Sequence, residues 1–441
     1  MHLLLHTAYN CQHTAVLLPA VPREDFVMPV FQPYPSVFPT GRIGGRQPDD
    51  VLAQLQRMTA GVSPIQLAEY QQRIERACAL MQQQQIAAIY LNAGSNLLYF
   101  TGTHWYASER LVGAVLTASG ELRYLAPVFE IGTLGEYQVV KAPVLGWQED
   151  ESPYQLFADT LTELGIAADA VVGLDESTAF FITDALSRQC SQTFVNAAQI
   201  TAACRRQKSQ AELAIMQRAM QMTLEVHKAA AQILRTGIST LEVEAFIAQA
   251  HRRVGASGSY FCIVLFGEAS AYPHGVKDPQ YLKEGDMVLI DTGCRLHDYV
   301  SDITRSYVFG EPTERQRTIW QLEKQAQAAA FNRVKPGVPC GAVDDAARTV
   351  LTAAGLGPDY QLPGLPHRTG HGIGLDIHEW PYLVRGNPLE LAVGMTFSNE
   401  PMICLPGEFG VRLEDHFFVT EQGAEWFTEP AVAVDDPFGW R

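Results

Sequence analysis

The alternation of apolar and polar positions becomes regular at about residue 63. Residues 64–84 carry apolar side chains at helical spacing, and the run Ile-Ala-Ala-Ile-Tyr-Leu at 86–91 is typical of a strand buried in an α/β domain. Shorter apolar runs continue towards residue 200. We therefore predict a compact α/β domain with further strands at 111–117, 122–126 and 170–175 and a helix at about 154–165.

The pattern of the second half of the chain occurs twice. Ser209 with Glu212, and Ser239 with Glu242, have the spacing of a capping box, which satisfies free backbone N–H groups at the start of a helix. Glycines recur 100 residues apart, at 237 and 337 and at 255 and 355. We predict a duplicated unit whose halves face each other across a cleft. Its elements are helices from Ser209 to about Arg235, from Ser239 to before Gly255, from about Thr313 to Val334 and a shorter one ending before Gly355, with strands at 260–266, 287–292, 302–309, 394–404 and 411–420.

Length and proline distribution divide the chain further. Its 441 residues, of which 47% are apolar, exceed the size at which a single hydrophobic core stops growing. Seven of the 25 prolines lie in the first 48 residues among aromatic side chains, which predicts either an extended arm lying on another surface, such as a partner subunit, or a loose tail. We place an arm at 1–62, the first domain at 63–204 and the second at 205–441. We interpret the cationic segment Arg205-Arg206-Gln207-Lys208 at the second boundary as a solvated linker.

Charge and cysteine usage exclude several classes of protein. The chain has 32 Lys and Arg against 48 Asp and Glu, a net charge of −16, which argues against a nucleic-acid partner. No apolar run approaches the roughly 20 residues that span a bilayer, so we expect no membrane partner. Residues 1–20 contain no Lys or Arg and their apolar stretch stops at Pro19, unlike a signal peptide. The eight cysteines have no paired spacing, and we expect free thiols in a cytoplasmic protein.

Four carboxylates occur within or beside apolar, strand-like segments of the second domain. Asp291 ends one predicted strand and Asp302 enters the next, while Glu400 and Glu414 hold similar places in the second repeat. A buried carboxylate costs several kcal/mol unless it is paired, hydrogen-bonded or bound to a metal. Four of them cannot remain ionised side by side without cations between them.

A histidine completes this set. His371 lies in the run Thr-Gly-His-Gly-Ile-Gly, whose small residues allow its imidazole to approach a crowded site. Five ligands of which four are carboxylates suit two hard divalent ions that share a water molecule. The scattered cysteines do not have the spacing of a structural zinc site.

The motifs that carry these residues resemble those of a known family. The segment HRTGHGIGLDIHE at 367–379 resembles the signature of the proline-specific metallopeptidases, aminopeptidase P and prolidase. Asp-Thr-Gly at 291, Ser-Asp-Ile-Thr-Arg at 301, Asn-Glu-Pro at 399 and Arg-Leu-Glu-Asp at 412 match its other motifs in the same order. Residues 95–102 resemble the creatinase-type amino-terminal domain. The resemblance covers nearly all of residues 63–430 and implies an α/β protein with a creatinase-like domain followed by a pita-bread (duplicated α+β) catalytic domain.

The resemblance also implies a metal set and roles for it. Asp291 would bind one ion through both oxygens, Asp302 and Glu414 would bridge two ions, and His371 and Glu400 would bind the second. Mn²⁺ is the expected metal, with Co²⁺ or Zn²⁺ as alternatives. Glu400 would also take the proton of the metal-bridging water as it attacks the peptide carbonyl.

Further residues receive substrate roles from the same resemblance. His274 and His378 would hydrogen-bond the carbonyl or the developing charge. His367 would line the pocket for the residue after the cleaved bond, and Arg412 would hold carboxylates in place. Arg385 lies in the interval where prolidases carry an Arg, and it would bind the carboxylate of a dipeptide through its planar fork, although a solvated loop arginine fits the same pattern.

Other positions depart from the family or carry no role. Relatives often have a Tyr four residues after the ligand Glu400, where this chain has Cys404. His227 and His251 are interpreted as surface or helix-end residues. His297 and His416 flank the metal strands without matching a ligand position.

We therefore predict hydrolysis of Xaa-Pro bonds, first in dipeptides, by a homodimer that acts on small peptides. The alternatives are an Xaa-Pro aminopeptidase that takes longer peptides, a hydrolase of a non-peptide amide such as a cyclic amidine or an ectoine-like compound, and a metal-free binding protein or creatinase-like enzyme. The presence of all five ligands disfavours the metal-free reading.

Overall fold

The computed structural model of the chain describes residues 34–441, so the arm prediction for residues 1–33 lies outside the described residues. The described part of the predicted arm, which begins at residue 34, contacts the second domain of the same chain. The Glu225 carboxylate accepts hydrogen bonds from the Ser36 hydroxyl at 2.7 Å and from the backbone N–H groups of Val37 and Phe38 at 2.9 and 3.1 Å. A short helix, α1, begins at a proline, where the missing N–H costs nothing. It spans Pro48–Leu52.

The first domain is a six-stranded mixed sheet covered by helices. Its strand order is β4-β3-β2-β1-β5-β6, and β1 pairs antiparallel with β2 and parallel with β5. Strand β1 is buried throughout, as its continuous apolar run predicts. The elements are α2 Leu67–Gln83, β1 Ala88–Asn92, α3 Ser95–Thr101, β2 Gly113–Thr117, β3 Leu122–Pro127, α4 Ile131–Tyr137, β4 Val144–Trp147, α5 Pro153–Glu163, β5 Val171–Leu174, α6 Phe180–Gln189, β6 Thr193–Asn196 and α7 Ala198–Arg205.

The second domain repeats a helix–helix–strand order. Both predicted capping boxes are present, at Ser209 and Ser239, and Thr313 with Gln316 forms a third. The elements are α8 Gln210–Gln232, α9 Thr240–Val254, β7 Phe261–Phe266, β8 Met287–Gly293, β9 Arg295–Leu296, β10 Tyr299–Val300, β11 Ile303–Val308, α10 Glu314–Arg333, α11 Cys340–Ala353, β12 Gly370–Gly372, β13 Glu379–Leu383, β14 Thr396–Asn399, β15 Met402–Leu405, β16 Phe409–Arg412, β17 Asp415–Val419 and β18 Ala424–Trp426.

The turns between paired helices show the duplication most directly. Gly237 and Gly337 both have left-handed φ angles, of 82° and 83°. The Gly237 N–H donates to the Leu282 carbonyl at 2.8 Å, and the Gly337 N–H donates to the Leu391 carbonyl at the same distance. The two repeats therefore share their turn conformation and its long-range hydrogen bond, which agrees with the repeat seen in the sequence.

Among the described residues, one isolated β-bridge joins the strands of the two repeats, and it pairs Thr304 with Glu414. One sheet has the order β11-β8-β7 and the other the order β13-β12-β14-β17-β18. Asp291 lies on β8 and Asp302 directly precedes β11, while His371 lies on β12. The duplicated fold thus places acidic residues from both repeats at one contact.

The structure corrects the interpretation of the cationic segment as a solvated linker. Arg205 and Lys208 are only 8% and 5% exposed. The Lys208 ammonium lies 2.8 Å from a carboxylate oxygen of the buried Glu379, and Arg205 pairs with Glu379 and with Asp376. Arg205 also donates to Asn96 at 3.0 Å, and Ser95 donates to Asp376 at 2.6 Å. The segment is a buried ion-pair junction between the two domains.

Two further features concern the described residues as a set. The seven cysteines among residues 34–441 are free, as predicted. No helix in this part of the chain is both long and apolar enough to cross a bilayer.

We predict that Glu379→Gln destabilises the protein by about 3–5 kcal/mol, because it leaves buried cations without their carboxylate. Burial alone raises the pKa of Glu379, but Arg205 and Lys208 reverse this and lower it from 4.5 to about 2. Its contribution is therefore complete above pH 4.5 and is lost as the pH falls towards 2. The melting temperature, measured between pH 2 and 7, should fall less steeply towards acid pH in the variant than in the parent.

The control for this variant is Glu408→Gln, which removes a carboxylate from an exposed ion pair with Arg315. Water and salt screen such a pair, so its melting temperature should stay close to that of the parent. Equal losses for the two variants would contradict a special role for the junction.

Candidate metal centre and active site

Asp291 and Asp302 come together because β8 and β11 are antiparallel neighbours with Asp291 opposite Thr304. Both carboxylates are buried, at 7% and 4% exposure. Burial and the charge of nearby Glu400 raise the pKa of Asp291, although Arg412 opposes this. Burial and the charges of Glu414 and Asp291 raise the pKa of Asp302 well above its ordinary value. Two acids held this close in a dry site require a cation or a proton.

The segment around β12, which carries His371, packs too closely against its neighbours for side chains larger than glycine at two positions. A Cβ at Gly370 would lie 2.1 Å from the Ser398 carbonyl oxygen, and one at Gly374 would lie 2.8 Å from Lys208 Cε. His371 Nδ1 lies 3.0 Å from the Gly372 carbonyl oxygen. This contact suits a protonated Nδ1 and leaves Nε2 free to act as a ligand. The small residues therefore bring the imidazole into the crowded site, as the sequence predicts.

His371 and Glu400 lie side by side through Ser398. The Ser398 hydroxyl accepts from the His371 backbone N–H at 2.9 Å and donates to Glu400 Oε1 at 3.0 Å. His371 Nε2 lies 3.1 Å from Glu400 Oε1 and 3.8 Å from Asp302 Oδ2. Burial raises the pKa of Glu400, but the hydrogen bond and charge of His371 outweigh it and lower the pKa below the ordinary value. Glu400 is thus held as a carboxylate.

Glu414 joins the group at the bridge between the repeats. Its Oε2 accepts a 2.6 Å hydrogen bond from the Thr304 hydroxyl. Within residues 34–441, one buried oxygen on each of Asp291, Asp302 and Glu414 has no hydrogen-bond partner. Free buried oxygens on acids beside an imidazole are the donor set of a divalent metal site, so the residues fit the metal that the resemblance implies.

Arg412 holds this cluster from behind. Its guanidinium donates to Asp291 Oδ2 at 2.5 Å, to the Thr304 hydroxyl at 3.1 Å and to the Pro273 carbonyl at 2.9 Å. Only 3% of the residue is exposed. These contacts agree with the expected role of holding carboxylates in place. They leave Arg412 with little access to a substrate.

The predicted substrate-facing histidines lie within electrostatic reach of the cluster and of one another, since Glu400 and His274 both act on His367 and on His378. The His378 and His371 rings lie 4.3 Å apart between centroids, and His378 is exposed. The ring is nevertheless partly desolvated, and this partial burial, with the charges of His371 and Arg368, lowers the pKa of His378 to about 4, so it is neutral at pH 7. His274 is exposed beside Pro273, the residue that Arg412 holds. His367 has its Nδ1 2.7 Å from the Arg368 carbonyl oxygen.

Arg385 has partners of its own. Its guanidinium pairs with Asp345 at 3.3 Å and with Asp359, and its side chain is 42% exposed. Arg368 is a second cation on this side of the site. It lies 4.1 Å from the centre of the Tyr382 ring, and its charge acts on His378. Sequence reasoning overlooked Arg368.

The structure shows three further features that the sequence interpretation overlooked or misjudged. His227 and His251, interpreted as surface or helix-end residues, are buried at 1% and 0% exposure, although His251 does lie in the last turn of α9. The buried pair Asp344–Arg348 supports the His367 segment, because Arg348 donates to the His367 carbonyl and Asp344 accepts from the Thr369 N–H. His416, given no role, is fully buried near the acids. Its position two residues after Glu414 in a strand was the available signal, since such residues share a face.

Comparison with known proteins agrees with this geometry. The model of the Creatinase/Prolidase N-terminal domain matches residues 73–207, and that of Metallopeptidase family M24 matches residues 214–421. The crystal structure of dipeptidase PepE from Mycobacterium ulcerans is 35% identical, with a TM-score of 0.77, and the match covers 83% of this chain and 97% of that chain. The Xaa-Pro dipeptidase from Bacillus anthracis is 27% identical, with a TM-score of 0.72, over 82% of this chain and 98% of that chain.

A curated relative is equally similar. A Mycobacterium tuberculosis protein named probable dipeptidase PepE is 35% identical over 358 residues, which are 80% of this chain and 93% of the relative. The fold and the acid-rich cluster define a metal-dependent hydrolase. The chain belongs to metallopeptidase family M24 and carries that family's creatinase/prolidase type of amino-terminal domain. The predicted fold class and the prediction of a metallopeptidase are confirmed.

We predict that metal binding releases protons. Burial and neighbouring charges raise the pKa values of Asp302 and Glu414 well above their ordinary values, so the metal-free protein holds protons that a divalent ion displaces. Calorimetric titration of metal-free protein with Mn²⁺ in two buffers of different ionisation enthalpy should give different apparent enthalpies, corresponding to about one proton or more per protein. Identical enthalpies in the two buffers would contradict the raised pKa values.

Proposed function

We propose that this protein hydrolyses Xaa-Pro bonds, first of all in dipeptides, at a centre of two divalent metal ions. The observation that carries the proposal is the convergence of Asp291, Asp302, His371, Glu400 and Glu414, with free oxygens on three of the acids. Relatives named dipeptidase and Xaa-Pro dipeptidase support a peptide substrate. Mn²⁺ is the proposed metal, with Co²⁺ or Zn²⁺ as alternatives, because four of the five ligands are hard carboxylates.

Asp291 and Asp302 would hold one ion, His371 and Glu400 the other, and Asp302 and Glu414 would contact both. When bound, the ions lower the pKa of a water molecule and stabilise negative charge on the substrate carbonyl oxygen. Glu400 is the proposed general base, because its carboxylate lies in the cluster beside His371 and can accept the proton of the attacking water. Arg412 keeps Asp291 oriented as the reaction proceeds.

The exposed histidines take the substrate side of the reaction. His378 is neutral at pH 7 and can donate an N–H to the carbonyl oxygen, where negative charge grows in the transition state. His274 lies on a segment that Arg412 anchors, and we propose the same role for it. His367 would line the pocket for the proline ring. A homodimer stays a prediction.

Two other reactions use the same residues. An Xaa-Pro aminopeptidase would take longer peptides, and a hydrolase of a non-peptide amide, such as a cyclic amidine, would need no proline pocket. The competing metal-free reading is disfavoured by the free, buried carboxylate oxygens among the described residues.

The proposal is tested with a panel of Xaa-Pro dipeptides, Xaa-Pro-Xaa tripeptides and matched Xaa-Ala peptides, with Mn²⁺ added. We expect cleavage of the Xaa-Pro dipeptides above the others. Asp302→Ala should abolish this activity and lower the bound metal from two ions to one or none, since Asp302 would contact both. Elemental analysis of chelator-free protein measures the metal.

Two results would refute this reading. An Asp302→Ala enzyme that kept two ions and near-normal turnover would end the dinuclear assignment. Cleavage of Xaa-Ala peptides at the same rate as Xaa-Pro peptides would remove proline specificity while leaving the metallopeptidase class intact.

The choice between dipeptidase and aminopeptidase depends on a cation for the dipeptide carboxylate. If Arg385 supplies it, Arg385→Ala should lower kcat/KM for dipeptides by about 10–100-fold and change tripeptide cleavage little. Arg368→Ala is the matched variant, because the charge of Arg368 acts on His378 and Arg368 is the other cation on this side of the site. A dipeptide-selective loss in Arg368→Ala alone would transfer the role to Arg368, and equal losses on both substrates would exclude a carboxylate anchor at either position.

A further inference from the structure

The interior of the second domain contains an imidazole that the proposed reaction does not use. His416 is 0% exposed and lies on β17 with Ser398 of β14 opposite it. Neither of its ring nitrogens makes a hydrogen bond of normal geometry among residues 34–441, although the Asp302 backbone lies within interaction distance of the ring. An unpaired polar group in a dry interior is costly, so an imidazole with two free nitrogens calls for a physical reason.

The alternation of β17 sets the direction of this ring. Asp415 points away from the acid cluster and pairs with Arg305 at 2.7 Å, with both side chains fully buried. Residues on either side of it in a strand face the opposite way, so Glu414 and His416 share the face towards the cluster. Asp302, His371, Glu414 and His416 each offer one possible ligand atom, and these four atoms all lie within 4.8 Å of one another.

We infer that His416 is an additional metal ligand, at the ion position that His371 serves. The inference rests on the metal centre of the proposed function. The His371 and His416 rings lie 6.1 Å apart between centroids at 62°, so two imidazoles can approach one ion from different sides.

Two imidazoles at one position change its metal preference. Oxygen ligands suit Mn²⁺, whereas imidazole nitrogen suits Zn²⁺, Cu²⁺ and Ni²⁺. The position with His371 and His416 should therefore prefer Zn²⁺ over Mn²⁺ more strongly than the position served by Asp291. The two ion positions of this chain are then chemically unequal.

Metal affinities of the full chain test this role. Metal-free protein is titrated with Zn²⁺ and with Mn²⁺ against a chromophoric chelator. His416→Gln should weaken Zn²⁺ binding at one of the two positions on the order of 10–100-fold and weaken Mn²⁺ binding less. The control is His251→Gln, which makes the same change at a fully buried histidine bonded to Thr223 and Ser259, and it should leave both affinities unchanged.

A measurement on the unaltered protein covers the case in which His416→Gln does not fold. Pulsed EPR of the chain loaded with Cu²⁺ shows combination lines from remote imidazole nitrogens only when two imidazoles bind one ion. We expect these lines in the parent protein, and we expect their loss in His416→Gln when that variant folds.

Each remaining outcome overturns a definite statement. A parent protein that binds two Zn²⁺ ions but shows a single imidazole on Cu²⁺, or unchanged Zn²⁺ affinity in His416→Gln, overturns the role of His416 alone. A parent protein that binds neither Zn²⁺ nor Mn²⁺ overturns the metal centre of the proposed function and this inference with it.

Discussion

Mutual repulsion among buried carboxylates is the constraint on which the rest of this protein depends. Asp291, Asp302 and Glu414 come from both repeats and meet where little water can screen them. Such a group is stable only with cations or protons between its members. The free oxygens among the described residues, the glycine-rich approach of His371 and the guanidinium of Arg412 all serve this one requirement. The chemistry of the site and the contact between the two repeats therefore involve the same group of charges.

The junction between the two domains supports this site from a distance. Arg205 and Lys208, at the junction, hold Glu379, which follows His378 directly in the chain. Glu379 also accepts hydrogen bonds from the backbone N–H groups of Leu375 and Asp376, so it helps to hold the segment between His371 and His378. A buried ion pair of this kind adds little net stability over an apolar contact, but it specifies one arrangement of the segment.

Much of the architecture follows from local patterns. Each helix of the second domain with a predicted capping box has it in the structure, and the paired glycines adopt nearly equal conformations in both repeats. These features depend on residues within a few positions of one another, which is why the pattern of the chain reveals them. The burial of Arg205, His227 and His251 could not be read in this way, because it depends on segments far away in the sequence.

The sequence by itself determined the two domains, the repeat and the identity of the acidic cluster, since strand periodicity and carboxylates within apolar runs are local properties of the chain. Only the tertiary structure decided which charged residues are solvated and which are paired. Arg385 is half exposed and pairs with two acids. Arg205 is buried in an ion pair at the junction between the domains, and His416 lies beside the acid cluster. The physical reason is that the free energy of a charge or an imidazole depends on the partners and water around it, and long-range packing alone supplies those partners.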